Sequence, residues 1–93
     1  MAIRRYTRRE TGMFTPAQLR AARALADWSR EELAEQSGTS AETIKRFEIQ
    51  GSDPKRSTLI KWRSALGQAG VEFTDPEDGR GEGVRFRAVK GKR

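Results

Sequence analysis

The side chains able to do chemistry in this sequence are charged or polar, and neither cysteine nor histidine is among them. Disulfides, zinc ribbons, thiol nucleophiles and the commonest general base are therefore excluded. Glu31, Glu32 and Glu35 crowd one short stretch. They have no acid–base or metal-ligating partner nearby in sequence, so they read as a solvated helix face. No catalytic, metal-ligating or cofactor-binding residue is identifiable, so no cofactor and no enzyme is expected. The informative set is Ser40, Ala41, Glu42, Thr43, Lys45 and Arg46, with Lys55 and Arg56 shortly after. An arginine at the place of Arg46 can take guanine O6 and N7 bidentately, the alternative being a solvated helix arginine. Lys45 either joins it or pairs with Glu42 three residues earlier. Glu42 either accepts from cytosine N4 or stabilises a helix N-terminus. Ala41 has no donor and could read only a thymine methyl. Lys55 and Arg56 flank a loop and are placed for phosphates.

The elements that must position these groups follow from caps and periodicity. Thr15-Pro16 opens a helix, with Gln18 completing a capping box. Leu19, Ala22, Leu25 and Ala26 form its buried stripe, and it ends near Asp27-Trp28. Ser29 and Glu32 form a second capping box. That short helix turns Leu33 and Ala34 inward, ends at Ser37 and is followed by Gly38, suited to a left-handed C-terminal residue. Ser40 caps a third helix running to about Ile49, with Ile44 and Phe47 inward. Gly51 to Pro54 is a turn. A fourth helix starts near Ser57, with Leu59, Ile60, Trp62, Leu66 and Ala69 as its apolar positions, and ends at Gly70. Val71 and Phe73, then Val84, Phe86 and Ala88, alternate with polar residues as strands do, and DPEDGRGEG between them is a loop. The expectation is a mainly α fold: four helices and a C-terminal antiparallel β-hairpin.

Two short helices joined by a glycine-containing turn make a helix-turn-helix, here over 29–49. The second helix of such a unit can present its N-terminal side chains to a major groove while the first crosses the phosphates. The net charge of +6 favours an anionic partner. The charge is uneven: residues 15–50 sum to −1, whereas Arg4, Arg5, Arg8 and Arg9 make the first 14 residues basic and 84–93 carry five cations. Binding should thus depend on the arm, the loop, the tail and salt. The chain divides into a basic N-terminal arm (1–14), a helix-turn-helix domain (15–70), a hairpin (71–89) and a basic tail (90–93). The arm could reach an adjacent minor groove or supply nonspecific charge. No apolar run approaches the roughly 20 residues of a membrane span and no secretory signal is visible, so a cytoplasmic, nucleoid-associated protein is expected.

Residues 15–73 resemble the XRE family, the lambda and 434 repressor-like helix-turn-helix regulators of bacteria and phages. The string WSREELAEQSGTSAETIKRFE carries the specific part of the likeness. The resemblance implies a fold of four or five packed helices and a dimeric regulator, commonly a repressor, on a palindromic operator. It places Arg30 where the family usually has a phosphate-contacting glutamine. It places Ala41, Glu42 and Arg46 where base edges are read, and Thr43 at a phosphate contact. It matches Arg23 and Glu48 to a structural ion pair between the first and third helices. Two departures stand out. Asp27 occupies a position often held by glycine, which Asp tolerates better than most residues. Gln50 stands where a glycine usually follows the third helix, with Gly51 one place later.

The resulting expectation is a sequence-specific DNA-binding repressor acting on double-stranded DNA as a homodimer. Val71, Phe73, Val84 and Phe86 are the dimerisation candidates, pairing across a two-fold or burying against Trp62 of either chain. Trp28 and Trp62 are expected in the core or at the dimer contact. The alternative is an antitoxin-like interaction protein that binds a protein partner and autoregulates its operon, although neither the arm nor the tail has the apolar anchors this needs. RNA binding lacks the aromatic platform of single-strand readers.

Overall fold

A computed structural model describes residues 13–88; the readings of residues 1–12 and of 89–93 lie outside it. The elements are α1 (Pro16–Ala26), α2 (Arg30–Ser37), α3 (Ala41–Lys45, continued by a π turn Arg46–Gln50), α4 (Arg56–Gln68), β1 (Val71–Thr74) and β2 (Gly83–Phe86). The four helices and the antiparallel hairpin read from the sequence are all present. No helix among the described residues is long and apolar enough to cross a membrane.

Local chemistry sets each boundary. The Thr15 and Ser29 hydroxyls accept from the backbone N–H of Gln18 and Glu32, and those side chains accept in return from the cap N–H groups. Both capping boxes are therefore closed, satisfying donors that a helix start leaves orphaned. Asp27 and Gly38 end α1 and α2 in the left-handed conformation, at φ 61° and 73°. Asp27 thus adopts the turn for which the family often uses glycine.

The third helix departs from a plain α-helix. Its last five residues are wound as a π turn, and the N–H of Gly51 donates to the carbonyls of Arg46 and Phe47 before the chain turns at φ 67°. The wider turn accommodates Gln50 and leaves Gly51 as the left-handed stop. Phe47 and Glu48, three and four residues after the buried Ile44, both face inward.

The core gathers Leu19 and Ala22 of α1, Leu33 and Ala34 of α2, Ile44 and Phe47 of α3, and Leu59, Trp62 and Leu66 of α4. Trp62 lies at its centre, with its ring 5.5 Å from that of Phe47. Its indole N–H donates to the Thr39 hydroxyl at 2.9 Å, so the buried polar tip is satisfied by the turn between α2 and α3. Trp28 is packed against this core more loosely.

Four readings are corrected. Ala88, read as continuing the second strand of a hairpin over 71–89, lies in an exposed bend beyond Phe86, where β2 ends. Met13 and Phe14, assigned to the arm, are core residues. The Phe14 ring stacks on Phe73 at 4.4 Å and meets Phe47 edge-on at 6.0 Å. Ile60, assigned to the inner stripe of α4, is 43% exposed, and Ala65 is buried. Ala69 is exposed, just beyond the end of α4. Helix α4 therefore has a narrower apolar stripe than its sequence suggests.

In the hairpin Val71 pairs with Phe86 and Phe73 with Val84. Directly opposed residues share a face, so these four side chains point the same way. That face packs on the chain's own core: Val71 is 1% exposed, and Phe73, Val84 and Phe86 are partly buried against the helices. The face thus packs within the chain, with Val71 buried and Phe73, Val84 and Phe86 keeping part of their surface.

Candidate nucleic-acid interface

The side chains of α3 divide cleanly between two faces. Ile44, Phe47 and Glu48 are buried, while Glu42, Lys45 and Arg46 are exposed and Ala41 and Thr43 are half-exposed. The Ser40 hydroxyl caps α3 by accepting from the Thr43 N–H at 3.1 Å, and the Ser40 and Thr43 hydroxyls meet at 2.7 Å. Ser40 is thus placed by its cap, and Thr43 is tied to it locally. Glu42 pairs with Arg46 at 3.4 Å, with both side chains more than half exposed. Such a surface pair contributes little to stability and releases either partner readily. The pairing of Lys45 with Glu42 weighed from the sequence is replaced by this one. Lys55, the residue before α4, and Arg56, its first residue, are exposed.

The angle at which this face is presented is fixed by Glu48. Its carboxylate is fully buried and receives Arg23 on both oxygens, each at 2.8 Å. A bidentate guanidinium–carboxylate pair constrains orientation as well as distance. Arg23 also donates to the Trp28 carbonyl at 3.0 Å, holding the chain just after α1. The ion pair that the resemblance implied between the first and third helices is therefore present.

Two further arginines join this centre, and neither was read from the sequence in that role. Arg30 Nε reaches Glu48 Oε1 at 3.0 Å with its side chain about one-third exposed. The residue assigned to a phosphate contact is thus also a partner of the buried carboxylate. Arg20 Nη1 donates to the Glu48 carbonyl at 2.6 Å, supplying a partner to the backbone of the π turn. Spacing along α1 could have suggested Arg20, since it lies one turn before Arg23. The sequence has no signal for the π turn beyond the late glycine. Three arginines from two helices therefore grip one residue of α3.

A fold of this kind packs a short helix against its predecessor, with polar side chains outward and cations beside it. That defines a DNA-binding helix-turn-helix protein. A family model described as helix-turn-helix matches residues 19–73, well over half of the 93 residues, and the chain belongs to this XRE-type family of regulators. No curated protein matches the chain.

Proposed function

We propose that the protein is a repressor that binds an inverted-repeat operator as a homodimer, with α3 of each protomer in a major groove. The observation that carries the reading is the outward face of α3, where Glu42, Lys45 and Arg46 stand exposed while Glu48, directly behind them, is locked by arginines of α1 and α2. In this reading Arg46 leaves Glu42 to take guanine O6 and N7, and Glu42 becomes free to accept from cytosine N4. Ala41 lies against a thymine methyl. Thr43, Lys55, Arg56 and the exposed part of Arg30 contact phosphates, which set register rather than sequence. Two such helices would lie about 34 Å apart along the duplex. Phe73, Val84 and Phe86 remain the hairpin residues with surface to offer a second copy.

The test is selection of bound duplexes from a random pool by the purified protein at near-physiological salt. An enriched inverted repeat is expected, and Arg46→Ala should relax one position in each half-site. Enrichment of nothing, or binding to every duplex with salt sensitivity alone, would remove the sequence-specific reading. Light scattering on the same sample checks the homodimer.

A further inference from the structure

The exposed face of α3 carries one residue that the reading above leaves out. Ile49 is 60% exposed, more than any other large hydrophobic side chain among the described residues. It stands three residues after Arg46, four after Lys45 and seven after Glu42. Positions at that spacing share one face of a helix. The opposite face is filled by Ile44, Phe47 and Glu48. These three stand at i, i+3 and i+4, so they fill the inner side of the helix and leave Ile49 outward. π turns such as Arg46–Gln50 recur at functional sites.

A single exposed isoleucine is ordinary on its own. This one is framed by cations. Lys45 and Arg46 lie on its own face, and Arg20 donates to the carbonyl of Glu48, the residue before it. An apolar protein surface placed on Ile49 would have to desolvate those charges, which is costly without paired anions. A DNA major groove meets both demands, with phosphates for the cations and the C5-methyl of thymine for an apolar side chain.

We infer that Ile49 is a specificity-determining residue that packs against a thymine methyl in each half-site. The inference rests on α3 being the recognition helix. It extends the readable face from the first turns of that helix to its last turn.

Deoxyuridine isolates the methyl group, because it pairs as thymidine does and lacks only the C5 carbon. The experiment titrates wild type and Ile49→Ala against the selected operator and against duplexes in which each thymidine of the half-site is replaced in turn by deoxyuridine. One replacement should weaken wild type about fourfold, the equivalent of one buried methyl, and leave Ile49→Ala unaffected. The two proteins should melt at the same temperature, since Ile49 lies outside the core. The inference is overturned if no replacement affects wild type, if Ile49→Ala responds as wild type does, or if the half-site holds no thymidine. An operator that depends on Arg46 with no coupling between Ile49 and a methyl sinks this inference alone. If no sequence is selected, or selectivity survives Arg46→Ala intact, the recognition-helix reading fails and takes this inference with it.

Discussion

Glu48 and Gln18 are almost equally buried, at 3% and 4% exposure, yet they fasten different regions by different means. Glu48 is met by guanidinium groups from α1 and α2 and so sets the attitude of α3. Gln18 is neutral. Its amide oxygen accepts from the Thr15 N–H at 2.8 Å, and its Nε2 donates to the carbonyls of Gly83 and Thr74 at 2.9 and 3.3 Å. One side chain thus closes the cap of α1 and holds the loop end of the hairpin. The hairpin is also attached by apolar contact, through buried Val71 and the stack of Phe14 on Phe73. Apolar burial is non-directional, whereas paired charges and hydrogen bonds fix angles. The region that would meet DNA is oriented by directional bonds, and the region behind it is held by such bonds and apolar cover together.

The comparison breaks most severely at Glu48. Glu48→Ala strands Arg23 and Arg30 around an empty site and should cost about 3–5 kcal/mol. Urea unfolding reads that loss as a lowered midpoint. Phe14→Ala opens a cavity beneath the hairpin and should cost about 3 kcal/mol. Its sharper signature is local, with amides of β1 and β2 exchanging faster than those of α2 and α3. Equal acceleration in both regions would show that the hairpin and the helices are one cooperative unit. Gln18→Met keeps the volume and removes the bonds, at about 1–3 kcal/mol, and should leave binding to a selected operator unchanged. Arg30→Lys retains the charge but loses the planar fork. The pair is partly exposed, so the change should cost less than about 1 kcal/mol. A loss as large as that of Glu48→Ala would mean that Arg30, and not Arg23, carries the centre.

Much of the fold was legible because its boundaries are local events. Thr15 with Gln18, Ser29 with Glu32, and Gly38 each announce a helix end within four residues. The hairpin was legible from its alternation, but its register, with Val71 opposite Phe86, was not. Phe14 was missed because no periodicity precedes Thr15. A signal did exist, since an apolar residue just before an N-cap and another at the fourth helical position form a staple pattern, and Phe14 and Leu19 are both buried. Ile60 was misplaced because a helical stripe read from sequence has no knowledge of how wide its groove is. At the interface, the Arg23–Glu48 pair came from resemblance alone. The convergence of Arg20 and Arg30 on the same residue was not legible, because it depends on how α1, α2 and the wide turn meet in space.

That wide turn also bears on how long this segment can be. Each residue added to an α-helix rotates everything after it by about 100°. Here the surplus is taken up inside a single turn, and Gly51 still halts the helix in a left-handed conformation. A chain one residue shorter could reach the same glycine by ordinary α winding, with α4 launched from the same place. The stretch between Arg46 and Gly51 is thus a point where the chain has room for one residue more than α winding needs, set at the end of the helix while Ile44 and Phe47 keep their places in the core.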